Sequence, residues 1–90
     1  MAGPRYVADP EHLIRRLELD GLTALFHIPS GMTHIVAPPA PQILRAISNS
    51  PADADELARR LSLDFDVEGG GEAMAARLAE LEAAGLVQRA

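Results

Sequence analysis

The chain contains three histidines, His12, His27 and His34, which are the side chains best suited to acid–base or metal chemistry. If Ile28 pairs with Thr33 around a turn, His27 and His34 become cross-strand neighbours, and two imidazoles in that position can share a metal ion. The spacing marks no third ligand, and no recognised motif ties a serine or carboxylate to either histidine. We therefore predict no metal site, no cofactor and no enzymatic activity.

A second candidate is the acidic stretch in which Asp64, Asp66 and Glu68 alternate just before three glycines. A calcium-binding EF-hand loop also alternates carboxylates, but it requires a glutamate at its twelfth position, where this chain has Ala75. The glycines Gly69–Gly71 do not complete a phosphate-binding loop, because that motif needs a lysine and the chain has none. A solvated acidic loop followed by a flexible joint is the simpler interpretation.

Composition limits the classes of function. The 90 residues suit a single domain spanning 1–90, and no apolar run approaches the ~20 residues that cross a bilayer. The first residues, 1–5, lead into no apolar stretch of a signal peptide, so we expect a cytoplasmic protein without a membrane partner. A net charge of −5 and a total of 1 tyrosine and 2 phenylalanines argue against nucleic acid as the partner.

The first half of the chain alternates apolar and polar residues as strands do. We predict a three-stranded antiparallel meander with turns at Asp20-Gly21 and at Pro29-Ser30-Gly31, its strands being 13–19, 22–27 and 33–37. In the first strand, we expect Leu13, Leu17 and Leu19 to form the apolar face, and the opposite face to be exposed to solvent. Residues 6–8 add either a short strand or part of a flexible tail spanning 1–10.

The second half predicts three helices. Prolines at 38, 39 and 41 start the first, Asp53 with Glu56 forms a capping box for the second, and the third spans about 72–84. In this last helix, Met74, Leu78 and Leu81 recur at helical spacing. Gly85 is placed to end it in a left-handed conformation, and residues 86–88 form a terminal strand. The predicted fold class is α+β, in a winged-helix-like arrangement.

The order of these motifs resembles the PqqD-like peptide chaperones, also called RiPP recognition elements. The segment 30–36, S-G-M-T-H-I-V, is similar to their S-G-x-T-H hairpin. The segments P-Q-I-L at 41–44, D-A-D-E-L-A at 53–58 and L-A-E-L-E-A-A-G-L-V at 78–87 resemble the family's helices and its ending. The resemblance covers roughly 13–88 and is strongest to the HPr-rel-A system PqqD branch.

This resemblance implies a non-catalytic adaptor. Family members capture an extended leader or precursor peptide by strand addition and present it to a modifying enzyme. That enzyme is a radical SAM enzyme of pyrroloquinoline quinone biosynthesis for the founding member, whereas the side branch lies beside an HPr-kinase-related protein. Ala37-Pro38 replaces the Leu-Asn common in the broader family, which favours the side branch.

The resemblance also implies where the peptide binds. The expected site is the edge of the third strand together with the last helix, comprising Thr33, His34, Ile35, Val36, Ala37, Met74, Arg77 and Leu78. The helical stripe has an alternative interpretation as plain core, which is favoured for Leu81. An unprotected strand edge also permits a strand-swapped homodimer.

A winged-helix DNA-binding regulator is the alternative function, because the last two helices form a helix–turn–helix. The candidate recognition helix carries Glu72, Glu80 and Glu82 against Arg77. This acidic balance would repel phosphates, so the peptide-binding interpretation is preferred.

Overall fold

The computed structural model describes residues 3–62 and 70–90. They form an α+β fold in which a three-stranded antiparallel sheet precedes three helices, as predicted. The elements are β1 (Tyr6–Ala8), a 3-10 helix (Glu11–Leu13), β2 (Ile14–Leu19), β3 (Leu22–His27), β4 (Met32–Val36), α1 (Ala40–Ala46), α2 (Ala54–Ser62), α3 (Gly70–Ala83) and β5 (Val87–Arg89). The predicted acidic loop at 64–68 lies outside the described residues.

The three-stranded sheet has the order β2-β3-β4, and both of its turns follow the local chemistry. Asp20 and Gly21 have φ values of 41° and 88°, the pair of positive angles that a tight two-residue hairpin requires. Gly31, with φ 70°, closes the second turn. The register places Leu17, Ala24 and Ile35 opposite one another across the three strands.

The predicted orientation of β2 is wrong. Ile14 is buried at 7% exposure, whereas Leu17 and Leu19 are 62% and 40% exposed. Side chains alternate along a strand, so the inward position of Ile14 turns Leu17 and Leu19 outward. The inner face of the sheet is set by Ile14 and by Leu25, which is fully buried.

The two ends of the described chain pair with each other in a second sheet. β1 and β5 run antiparallel, with Tyr6 opposite Arg89 and Ala8 opposite Val87. The Tyr6 N–H donates to the Ala52 carbonyl at 2.8 Å, and the Ala52 N–H returns the bond at 3.0 Å. Of the two expectations for residues 6–8, the strand is therefore the one observed, and burial of Tyr6 and Ala8 fixes it to the core.

Local signals begin and end the helices much as predicted. The Glu56 N–H donates to Asp53 Oδ1 at 2.8 Å, which is one half of the capping box. The Glu56 carboxylate, expected to complete the box, instead binds Arg59 at 2.7 Å. At the end of α3, Gly85 has φ 80° and the Leu86 N–H donates to the Leu81 carbonyl at 2.9 Å, so the left-handed helix ending is confirmed.

One core lies between the helices, the terminal sheet and the inner face of the three-stranded sheet. Its fully buried side chains are Leu25, Ile43, Leu44, Ile47, Leu57, Leu78, Leu86 and Val87. In the part of the chain that the structure describes, no helix combines the length and the apolar character that crossing a bilayer demands.

Candidate peptide-binding groove

A cavity of about 480 Å³ lies between β4 with the segment that follows it and the C-terminal half of α3. We call it the groove; its lining consists of His34, Ile35, Val36, Ala37, Pro38, Pro39, Ala40, Arg77, Glu80, Leu81, Ala84 and Leu86. The lining includes β4 but no residue of β3, which places the groove at the outer edge of β4. A strand edge and a helix thus form its two walls.

The β4 wall presents backbone hydrogen-bonding groups. β4 pairs with β3 along one side, and among residues 3–62 and 70–90 no strand pairs with its other side. Met32, Thr33 and Ile35 are exposed, and His34 and Val36 are partly buried. An unpaired edge of this kind is a template for an added strand.

The α3 wall is one face of the helix. Arg77, Glu80, Leu81 and Ala84 follow the i, i+3, i+4, i+7 spacing that aligns side chains along a helix. Leu81 forms the apolar base at 6% exposure. At the rim, Arg77 Nη1 lies 3.2 Å from Glu80 Oε1, and both side chains are more than half exposed. The rim of the groove therefore carries one positive and one negative charge, and its base is apolar.

The structure brings most of the predicted peptide-binding residues together. Five of them line the groove, namely His34, Ile35, Val36, Ala37 and Arg77. Thr33 belongs to β4 but is not part of the lining. Met74 and Leu78 have 3% and 0% exposure, so both side chains belong to the core and we remove them from the site. Their stripe faces the core, and the groove uses the neighbouring face of α3.

Sequence reasoning missed several lining residues. These are Pro38, Pro39, Ala40, Glu80, Ala84 and Leu86, together with Leu81, for which the core interpretation was favoured. The spacing of Arg77, Glu80 and Ala84 on the polar side of α3 is a signal that could have indicated them. The role of the proline segment depends on how the chain passes between β4 and α1, which no local pattern encodes.

The histidines are arranged differently from the prediction. His27 lies opposite Met32 and His34 lies opposite Leu25, so His27 and His34 are not the direct cross-strand pair that was expected. The turn between β3 and β4 contains four residues, and the Gly31 N–H donates to the His27 carbonyl at 2.8 Å. The turn encloses residues 28–31, one position earlier than the 29–32 that pairing of Ile28 with Thr33 would require, and this shifts the register by two residues.

His27 instead joins three segments of the chain. Its Nε2 lies 2.6 Å from Asp9 Oδ2, and its Nδ1 lies 2.8 Å from Ser30 Oγ. The His27 side chain is 7% exposed. We call Asp9, His27 and Ser30 the polar latch, because they connect the turn after β3 to the segment after β1.

The latch has the residue types of a nucleophilic triad, but its contacts favour a structural role. Ser30 Oγ also accepts the Met32 N–H at 3.3 Å and lies 3.4 Å from the His27 carbonyl, a local turn-stabilising pattern. None of the three residues lines either cavity described here. Within the described ranges, no cluster of three or more histidine, cysteine or acidic side chains is arranged to hold a metal ion.

A second cavity, of about 220 Å³, lies between β2 and α1. Arg16 and Arg45 line it together with Glu18 and Thr23. Arg16 Nη1 donates to the Pro41 carbonyl at 3.3 Å, which ties the sheet to α1. Charges of both signs line this cavity, and contacts within the fold engage several of its polar groups, so it is a weaker candidate for a binding site than the groove.

Comparison of the chain with protein-family models, with curated proteins and with solved structures finds no match. The resemblance to PqqD-like chaperones therefore stays a prediction based on the motifs quoted above. α3 keeps the acidic balance noted from the sequence, and its Arg77 is paired with Glu80. This pairing adds nothing in favour of DNA binding.

Proposed function

We propose that this chain is a non-catalytic peptide-binding adaptor. It captures an extended leader or precursor peptide by strand addition to β4 and presents it to a partner modifying enzyme in the cytoplasm. The observation that carries the proposal is the free edge of β4, which runs along a groove whose far wall is α3.

Strand addition fits the chemistry of both walls. A peptide lying beside β4 satisfies the outward backbone groups of that strand, which gives affinity without sequence preference. Its side chains alternate, so every second one turns toward the helix. There it meets Leu81 and Leu86 at the base, with Arg77 and Glu80 at the rim. We expect a ligand with apolar residues at alternate positions.

The class of the partner enzyme follows from the resemblance. A radical SAM enzyme would connect the chain to pyrroloquinoline quinone or another modified peptide, whereas an HPr-kinase-related protein would connect it to the side branch. The identity of the neighbouring genes separates these two cases. Neither partner requires a cofactor in this chain.

The groove can be tested by filling it. Ala84 is exposed and lines the groove, whereas Ala79 is exposed on α3 but does not line it. We would select peptides from a displayed library of random linear sequences and measure binding to the wild type, Ala84→Phe and Ala79→Phe. Ala84→Phe should lose at least ~10-fold in affinity, which corresponds to about 1.4 kcal/mol, and Ala79→Phe should bind as the wild type does.

The backbone contribution needs a separate test. N–H groups of adjacent strand residues point to opposite edges, so one of His34→Pro and Ile35→Pro removes an outward N–H and the other breaks the pairing with β3. Circular dichroism identifies the variant that stays folded, and that variant should lose peptide binding. Strand addition would be rejected if the folded proline variant bound peptide as tightly as the wild type. It would also be rejected if NMR titration with the selected peptides shifted the signals of α2 and not those of β4.

DNA binding is the alternative function, and it needs its own test. A gel-shift titration with duplex DNA should show no complex. A complex whose affinity falls steeply with salt would support a winged-helix regulator in place of the peptide adaptor.

A further inference from the structure

The face of the three-stranded sheet that points away from the core is apolar and uncovered in the described chain. We call it the outer sheet face; it consists of Leu17, Leu19, Leu22, Ala24, Phe26 and Ile35. The register places Leu17, Ala24 and Ile35 in one row and Leu19 beside Leu22 in the next. These residues therefore form one continuous surface.

The exposure of this face is large for so small a domain. Leu17 and Ile35 are 62% and 57% exposed, and Leu22, Leu19 and Phe26 are 42%, 40% and 38% exposed. Together they present roughly 500 Å² of apolar surface, the range in which a patch on a monomer marks an interaction site. Two such faces in contact bury on the order of 1,000 Å², the size of a weak protein–protein interface.

Charges at the two ends of β2 favour a second copy as the occupant. Arg15 lies on the outer side of the sheet opposite Phe26, at the start of β2. Asp20 lies in the turn at the end of the same strand, and both residues are exposed. When two copies pack face to face with antiparallel strands, the start of β2, which holds Arg15, lies over the partner subunit's turn, which holds Asp20. Parallel packing would instead bring like charges together.

We propose that this chain forms a two-fold homodimer through its outer sheet face, with the β2 strands of the two copies antiparallel. The contact is isologous, as most dimer interfaces are. It uses the face of the sheet and not the edge of β4. Ile35 belongs both to this face and to the lining of the groove, whereas the α3 wall of each groove lies outside the contact. The proposal does not depend on the peptide-binding function and extends it by giving each assembly two grooves.

Sedimentation equilibrium over a concentration series tests the dimer. The wild type should associate to a dimer, and Leu17→Glu should raise the dissociation constant at least ~10-fold, because the new carboxylate would be buried without a partner. Leu17 is already exposed, so the variant should keep its circular dichroism spectrum. Ala79→Glu places the same charge on exposed α3 and should leave association unchanged. A wild type that stays monomeric throughout the series would overturn the proposal, as would equal association by Leu17→Glu.

The orientation can be tested by cross-linking, because the chain has no cysteine. A mixture of Arg15→Cys and Asp20→Cys proteins, treated with a short bis-maleimide, should give more cross-linked dimer than either variant alone. Cross-linking that is stronger within each single variant would show parallel packing and reject the arrangement. A dimer that gives no cross-link in any mixture would reject it too. Such a dimer would form through the edge of β4, which lies across the sheet from β2 and keeps the two β2 strands apart.

Discussion

The helical half of the chain and the three-stranded sheet place their apolar side chains in opposite ways. Leucines, isoleucines and the methionine of α1, α2 and α3 are buried, as are Leu86 and Val87 near the C-terminus. The described large apolar residues that are exposed are instead those of the sheet and its second turn: Leu17, Leu19, Leu22, Phe26, Ile28, Met32 and Ile35. One region buries its apolar groups and the other displays them.

The backbone contacts follow the same division. α1 packs on α2, α2 on α3, and α3 on β5, whereas the sheet makes its main contacts among its own strands and with the 3-10 helix. Leu25 and Ile14 are the buried apolar links from the sheet to the core. We infer that the helical half supplies stability and that the sheet supplies surfaces for binding: the edge of β4 for a peptide and the outer sheet face for a second copy.

The largest effect should come from a matched pair of leucine truncations. Leu78→Ala removes a side chain of 0% exposure and should lower the free energy of unfolding by about 3 kcal/mol, through lost burial and a residual cavity. Leu17→Ala, at 62% exposure, should change it by less than about 0.5 kcal/mol. Urea unfolding of the monomer measures both. Similar losses for the two variants would contradict the division.

Disrupting the polar latch should have the next largest effect on stability. His27→Ala leaves Asp9 and Ser30 without their ring partner, so we expect a loss of about 2 kcal/mol. The control is His34→Ala, which lies at the groove and should alter stability little while weakening peptide binding. Thermal unfolding compares the two. A stable His27→Ala protein that had lost an esterase activity present in the wild type would instead indicate a catalytic latch.

A smaller effect should follow loss of the bond from β2 to α1. Arg16→Met keeps the apolar stem but removes the bond to the Pro41 carbonyl, with an expected loss of about 1 kcal/mol. The Arg16 Nε atom is buried without a hydrogen-bond partner in the described residues, so its removal offsets part of this loss. Arg16 Nη2 also lies 3.3 Å from Glu11 Oε1, and Arg45 Nε lies 3.8 Å from the same oxygen. Arg45→Met is therefore the control, because it removes a Glu11 contact from a side chain that is 69% exposed. Equal destabilisation by the two variants would show that the loss comes from the contacts with Glu11 and not from the bond to Pro41.

The smallest effect concerns charge on the helical half. Hydrogen bonding and charge from Arg59, supported by Arg60, hold the pKa of Glu56 below its ordinary value of 4.5. A carboxyl group whose pKa falls on folding adds stability above its unfolded pKa and loses it as the pH drops through the folded value. The unfolding midpoint of the wild type should therefore fall slightly more than that of Glu56→Gln when the pH is lowered below 4.5. Identical pH profiles would show that the exposed pair adds nothing.

Much of the secondary structure was predictable, because the signals are local. Asp20-Gly21, Gly31 and Gly85 adopt the positive φ angles expected of them, and Asp53 caps α2. The groove was predicted in part, since the resemblance directed attention to β4 and Arg77. Met74 and Leu78 could not be separated from the groove in advance, because apolar periodicity identifies a buried face without showing what covers it.

By itself, the sequence determined the order of strands, turns and helices, because turn residues, caps and periodicity act over a few neighbouring positions. Tertiary structure decided what depends on distant partners: which face of β2 turns inward, the pairing of β1 with β5, and the contacts of His27 with Asp9 and Ser30. A shift of one residue along a strand moves every leucine from one face of the sheet to the other. Only packing against the core decides which of the two faces turns inward. The outer sheet face, and with it the proposed dimer, follows from that choice.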